Sequence, residues 1–178
     1  SDQFVVGHVG ALVDSHKGQL QIIEMARKSR GSGLKFVLVG GGADDAMLKR
    51  AAEGLDNVHF TGHVDNVGDY LNLMNLFLYP SRHEGLGSVL LDALEFGLPV
   101  VATRVGGIPE IIQDGVNGYL YEPNDIRSML NTVLRLRDDA KTAAAMGLLN
   151  KRAAEAYTPA RMGKRYELIY QSVLGSSA

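Results

Sequence analysis

The sequence predicts a doubly wound α/β domain: a mainly parallel sheet covered by helices on both faces and followed by a helical tail. Three observations carry that expectation. Short apolar runs alternate with segments of helical period through the first two thirds of the chain. The last third holds helical patterns without strands. With 178 residues, 46% of them hydrophobic, the chain is also long enough for one domain with a substantial core.

Taken in order, Phe4 to Val9 is a short apolar run read as the first strand, and Gln19 to Lys28 follows at helical spacing. Lys35 to Val39 is the second strand and Asp45 to Glu53 the helix after it. Val58 to Thr61, Leu76 to Tyr79, Val100 to Ala102 and Gly118 to Tyr121 read as further strands. Helices near Val67 to Met74, Ser88 to Phe96 and Pro109 to Gln113 lie between them. The tail comprises Ile126 to Leu136, Lys141 to Glu155 and Ala160 to Leu174, separated by Asp138-Asp139 and Thr158-Pro159. Gly175 to Ala178 is expected to fray. Neither an internal repeat nor a low-complexity segment is evident.

Composition removes several classes of function. Eighteen basic against twenty acidic side chains give a formal charge of −2, and no basic tract offsets it, so nucleic acid is not an expected partner. The chain has no cysteine, which excludes disulfides and thiolate chemistry and favours a cytoplasmic setting. No transmembrane segment is expected, because there is no run of about 18 apolar residues. The opening Ser1-Asp2-Gln3-Phe4 lacks a methionine and enters a strand almost at once, so we expect a piece of a longer protein.

The loop Pro80-Ser81-Arg82-His83-Glu84-Gly85-Leu86-Gly87 lies between an apolar strand and a helix, the place where open parallel sheets bind ligands. Gly85 and Gly87 let backbone approach a ligand closely, and N–H groups near Ser88 would face an anion. Ser88, Asp92 and Glu95 then form one polar stripe, with Val89, Leu90, Ala93 and Leu94 on the apolar side. Two readings of the acids stand here. Glu84 and Asp92 can accept hydrogen bonds from a polyhydroxylated ligand, or they are a dipole-favoured acid and a solvated helix face.

Tyr79-Pro80-Ser81-Arg82-His83-Glu84-Gly85, Leu98-Pro99-Val100-Val101-Ala102-Thr103 and Gly106-Gly107-Ile108-Pro109-Glu110 together resemble the C-terminal, donor-binding domain of retaining GT-B glycosyltransferases of family 4. Val6-Gly7-His8-Val9-Gly10 with Lys17-Gly18, Leu38-Val39-Gly40-Gly41-Gly42, Phe60-Thr61-Gly62 and Gly115-Val116-Asn117-Gly118 fit in the same order, so the resemblance covers nearly the whole chain. It implies a Rossmann-like sheet and a nucleoside-diphosphate sugar as substrate, with no metal or other cofactor. An N-terminal acceptor-binding domain of the same chain is implied as partner, and through it a possible membrane-peripheral location.

The resemblance also distributes roles. Glu84 fills the position that contacts hydroxyls of the transferred sugar, and Asp92 stands where the family has a glutamate gripping the ribose, one methylene shorter. Gly87 and Ser88 would hold the diphosphate, with Gly85 and Leu86 in the same loop, and Lys17 would neutralise the leaving group. The family's arginine after Gly10 is replaced by Ala11, and the segment to Gly18 is one residue longer than the commonest form. Arg82 and His16 are the candidates to compensate. Losing that contact costs roughly 1.5 to 3 kcal/mol of leaving-group stabilisation. Ala11 and Asp92 therefore keep a non-catalytic sugar-nucleotide-binding module open as an alternative, and a GT-B-fold epimerase is a third.

Other features divide between donor contacts and ordinary turns. Gly40-Gly41-Gly42-Ala43-Asp44-Asp45 lacks the third glycine of a dinucleotide fingerprint. Gly10, Gly40 and Gly41 line the donor cleft by resemblance, and otherwise this is a tight turn with Asp44 or Asp45 as cap. His63 and Val64 follow Gly62 where the family meets the nucleobase, and a turn histidine is the alternative. His8, His16, His59, His63 and His83 form no zinc pattern. Pro109 suits a helix start, and Tyr166, Ile169, Tyr170 and Val173 suit core or inter-domain packing.

Overall fold

A computed structural model of the chain describes residues 3–157 together with residues 161, 163, 164, 167, 170 and 171. Six strands form the sheet: β1 (Phe4–Val9), β2 (Leu34–Val39), β3 (Val58–Gly62), β4 (Leu76–Tyr79), β5 (Val100–Thr103) and β6 (Gly118–Tyr121). The helices are α1 (Asp14–Lys17), α2 (Gln19–Lys28), α3 (Asp45–Ala51), α4 (Val67–Leu73), α5 (Val89–Glu95), α6 (Ile108–Ile111), α7 (Ile126–Asp138) and α8 (Ala140–Ala154), and a 3-10 turn follows at Glu155–Tyr157. All strand pairs are parallel, in the order β3-β2-β1-β4-β5-β6. The expected doubly wound sheet is therefore present, with its order reversing between β1 and β4.

Alternation along the strands explains why both faces are covered. Leu76 and Leu78 of β4 join the cluster packed under α2, α3 and α7, whose members include Ile22, Met25, Leu48 and Val133. Their neighbours Phe77 and Tyr79 point the other way, into the cluster that holds Leu71, Leu90, Leu94 and Ile108. At the switch point the β1–β4 ladder pairs only Val6 with Leu76 and Gly7 with Phe77. Beyond it, the His8 side chain donates to the Leu78 carbonyl at 3.1 Å.

The tail crosses from one face to the other. After α7, helix α8 packs on α5, where a Cβ on Gly147 would stand 2.2 Å from the Gly97 carbonyl oxygen. Buried Asn150 secures that crossing by donating to the Leu98 and Asn117 carbonyls at 2.7 and 2.9 Å. Asp125 and Asp139 cap α7 and α8 through the Ser128 and Thr142 N–H groups.

Several boundaries differ from expectation. The helix α1 was not foreseen, being a single turn ended by Gly18 at φ +68°. The helix expected from Ser88 begins at Val89, and Ser88 stands ahead of it. Neither Asp44 nor Asp45 caps α3 with its side chain: Asp44 instead accepts the Asp14 N–H at 2.8 Å, and Asp45 pairs with Lys49 at 2.8 Å. Most of the helix expected over Ala160 to Leu174, and all of Gly175 to Ala178, lie outside the described residues. Among the described residues no helix is long and apolar enough to cross a membrane.

Candidate functional site

The loops after β1, β2 and β4 meet at the carboxyl ends of their strands. Gly40 approaches the β1 loop so closely that a Cβ would lie 2.2 Å from the Gly10 carbonyl oxygen, and its φ of +131° favours glycine independently. Gln19 holds the same loop by donating to the Ala11 carbonyl at 2.8 Å. Helix α1 then closes onto the β4–α5 loop. The Arg82 and His83 N–H groups both donate to the His16 carbonyl, at 2.7 and 3.2 Å, and Gln21 donates to the Pro80 carbonyl at 2.9 Å.

That docking assembles a charged cluster. Lys17 Nζ lies 2.5 Å from Glu84 Oε2 and 3.0 Å from the Tyr79 hydroxyl. The Tyr79 hydroxyl donates to the same Glu84 oxygen, while Glu84 Oε1 accepts the Gly85 N–H at 3.2 Å. The side chains of Lys17 and Glu84 are 21% and 12% exposed, so the pair is shielded yet reachable.

Burial pushes the Glu84 carboxyl up, but the bonds from Lys17 and Tyr79, the lysine charge and the Gly85 N–H outweigh it and hold the group below the ordinary carboxylate range. Burial likewise pulls the Lys17 ammonium down, and its bonds to Glu84 and Tyr79 raise it above the ordinary lysine value. Both are therefore charged at neutral pH. Tyr79 is raised by burial and by its bond to Glu84, so the phenol keeps its proton.

Beneath the cluster, burial pushes His8 down to about 4, so it is neutral at physiological pH. Its Nδ1 donates to Leu78, which leaves Nε2 to accept from Gln19 at 3.4 Å. Its ring stacks on Tyr79 with centroids 5.8 Å apart.

Of the residues named from sequence, Gly10, Gly40, Gly41, His63 and Val64 line one cavity of about 240 Å³, with Ala11 on its wall. Gly85, Leu86, Gly87 and Ser88 form the neighbouring loop, which the Gly107 N–H ties down through the Gly85 carbonyl at 2.7 Å. Leu86 is 60% exposed there. Among the described residues, the Gly87 and Ser88 N–H groups have no acceptor in the chain. Asp92 lies elsewhere, in a groove between α5 and the end of α8 with Glu95, Lys151 and Tyr157. Partial desolvation, then the charge of Glu95, raises its carboxyl.

Ala11 is exposed, and the two residues considered as substitutes for an arginine there have neighbours of their own, although the buried Arg82 Nε has no hydrogen-bond partner among the described residues. Arg82 Nη2 is 3.8 Å from Asp14 Oδ2, and the His16 ring leans on His83 with centroids 5.8 Å apart. Sequence reasoning missed Tyr79 and His8. A phenol ending an apolar strand and a lone imidazole inside one read as core, and only their polar atoms in space give them away.

A profile of the family described as "Glycosyl transferases group 1" matches residues 3–139. The N-acetyl-alpha-D-glucosaminyl L-malate synthase of Bacillus anthracis is 36% identical over 144 residues, 79% of this chain and 38% of its own length. The O-antigen chain mannosyltransferase C of Escherichia coli is 31% identical over 171 residues, 92% of this chain and 45% of its own. Among solved structures, Anabaena Alr3699/HepE in complex with UDP superposes with a TM-score of 0.88 at 25% identity, over 96% of this chain and 49% of that one. The same protein in complex with UDP-glucose gives 0.86 at 26% identity. The chain thus spans less than half the length of these relatives. On the matched span of residues 3–139, it belongs to the group 1 glycosyl transferases and has the Rossmann-like domain of the GT-B fold.

Proposed function

We propose that this chain is the nucleotide-sugar-binding domain of a retaining, family 4 glycosyltransferase that moves a hexose from a nucleoside-diphosphate sugar to a glycan or lipid-linked acceptor. An N-terminal domain of the same protein binds the acceptor and closes the cleft, so the chain alone binds the sugar donor and transfers little. The reaction needs no metal, and the protein works in the cytoplasm or peripherally on a membrane through that other domain.

The observation that supports this reading most is the Lys17–Glu84–Tyr79 cluster at the switch point, beside the cavity lined by Gly10, Gly40, Gly41, His63 and Val64. The nucleobase lies against His63 and Val64, and the diphosphate against the Gly87 and Ser88 N–H groups. Lys17 has three N–H donors and uses two on Glu84 and Tyr79, which leaves one for a phosphate oxygen. Its positive charge then stabilises the negative charge that develops on the departing diphosphate. Glu84 Oε1 accepts from a sugar hydroxyl. Asp92 takes the ribose role only if the ligand extends into its groove.

A thermal-shift panel of nucleoside diphosphates and their sugars tests the reading, with uridine compounds first because HepE is in complex with UDP and UDP-glucose. A ligand at about 100 times its dissociation constant adds roughly 2.7 kcal/mol to stability. We expect at least one nucleotide sugar to stabilise the chain more than its free diphosphate, and Glu84→Gln to erase most of that preference. Silence across the panel would overturn the proposal.

One observation favours a second reading, a sugar-nucleotide-binding module without transfer: exposed Ala11 leaves its side of the cavity without the cation the resemblance implies. Nucleotide-sugar binding by the chain, coupled with absence of both transfer and hydrolysis by the full-length protein, would select it.

A further inference from the structure

Tyr79 carries every mark of a core residue, since it is 1% exposed and packs into the cluster beneath α5. Its hydroxyl nevertheless stands where Lys17 and Glu84 meet. We propose that Tyr79 is the positioning residue of Glu84, locking Oε2 so that Oε1 is the oxygen offered to a hydroxyl of the donor sugar, with His8 backing the phenol ring. This inference rests on the donor-site reading above.

A carboxylate has two oxygens with about four lone-pair directions. Among the described residues, Oε2 accepts from Lys17 and Tyr79, and Oε1 accepts only from the adjoining Gly85 N–H, so the spare capacity lies on Oε1. A lysine alone does not fix which oxygen is spare, because its ammonium is a compact donor on a flexible stem. Tyr79 is different, for its hydroxyl is carried on a buried ring at the end of a central strand. A second donor of this kind fixes the rotation of the carboxylate about its terminal bond.

The ring itself is held on two sides. It lies 5.8 Å from the Phe77 ring at 32° and stacks on His8 at 5.8 Å and 28°. His8 cannot swing away, because its two nitrogens are bound to the Leu78 carbonyl and to Gln19. Gln19 also holds the Ala11 carbonyl. A continuous set of contacts thus runs from the β1 loop through Gln19, His8 and Tyr79 to Glu84, linking the shape of the cavity wall to the aim of the carboxylate.

Tyr79→Phe tests this with the ring and its packing retained. We expect the affinity for a nucleoside diphosphate to stay within about twofold of wild type, while that for the corresponding nucleotide sugar falls about tenfold, measured by calorimetry on the chain. A second readout needs no ligand. The carbon-detected titration of the Glu84 carboxyl should move up toward the ordinary carboxylate range, the groups bonded to it being Lys17 on α1 and Tyr79 on β4, with neutral His8 on β1 behind the Tyr79 ring. His8→Gln, which removes the stack but keeps the phenol, should reduce the sugar preference in the same direction. That variant also serves if Tyr79→Phe fails to fold. An unchanged preference for nucleotide sugar over diphosphate overturns the positioning role and leaves the donor site standing. Failure of wild type to bind any nucleotide sugar overturns the donor site and, with it, this role.

Discussion

Lys17 and Glu84 are charged partners held by opposite ends of the chain's first half, and Ala11 stands where the resemblance implies an arginine beside Lys17. An unshared cation carries more of the diphosphate's charge. Lys17→Ala should therefore weaken nucleoside-diphosphate binding by roughly 1.5 to 3 kcal/mol, the range for a hydrogen bond to a charged group. Ala11→Arg should tighten it and, under the proposed transfer reaction, raise turnover by the full-length protein. Calorimetry on both variants checks the pair, and an untouched affinity in Lys17→Ala would show that this loop does not meet the diphosphate. His8 makes a prediction in pH. The fold keeps it neutral down to about 4, whereas its ordinary value is 6.5, so the unfolded chain binds more protons between those limits. Stability must then fall as pH drops from about 6.5 toward about 4, by roughly 3 kcal/mol across the gap from this group. Glu84, held low, adds its own loss further into acid as pH falls through its folded value. Urea unfolding at a series of pH values should show a shallower acid slope in His8→Gln, and an identical slope would contradict the assignment.

At the scale of elements, the strands and long helices were legible because their periods are clean: Leu76 to Tyr79 is apolar at every position and is buried at every position. Helix α1 was not legible. It is one turn, too short for a period, and is held by bonds to distant loops: the Arg82 and His83 N–H groups donate to the His16 carbonyl, and the Asp14 N–H donates to Asp44. Asp44 misled for a related reason, since an acid ahead of a helix usually caps it, but here it reaches the Asp14 N–H at the start of α1. The close crossing of α5 and α8 also escaped the sequence, because Gly97 is distant in the chain from Gly147 and Asn150 on α8. Asn150→Ala should remove the donors to the Leu98 and Asn117 carbonyls and cost roughly 2 to 3 kcal/mol, read as a lower denaturation midpoint. A loss under about 0.5 kcal/mol would mean that water replaces the amide without penalty.

Across the whole molecule, the candidate site is placed by strand order. The order reverses between β1 and β4, and at that point the loops after the two strands dock on each other through the His16 carbonyl, which brings Lys17, Tyr79 and Glu84 together. The close approach of the Gly40 loop was legible as a glycine cluster after a strand, and its φ of +131° bears the need for glycine out, whereas Glu84 kept two readings on pattern alone and was singled out by resemblance. Tyr79 and His8 were not legible, since what separates them from core is a hydroxyl and an imidazole meeting polar atoms across the sheet. A separate cavity of about 410 Å³ lies among Phe4, Leu98 and Leu136, where the strands begin, and supplies an internal control. Amide chemical-shift mapping of the chain titrated with a nucleoside-diphosphate sugar tests the central claim most directly. The account predicts the earliest and largest shifts at Gly10, Gly40, Gly41, Gly87 and Ser88. Shifts centred instead on Phe4, Leu98 and Leu136, with those five glycine and serine amides unmoved, would contradict it.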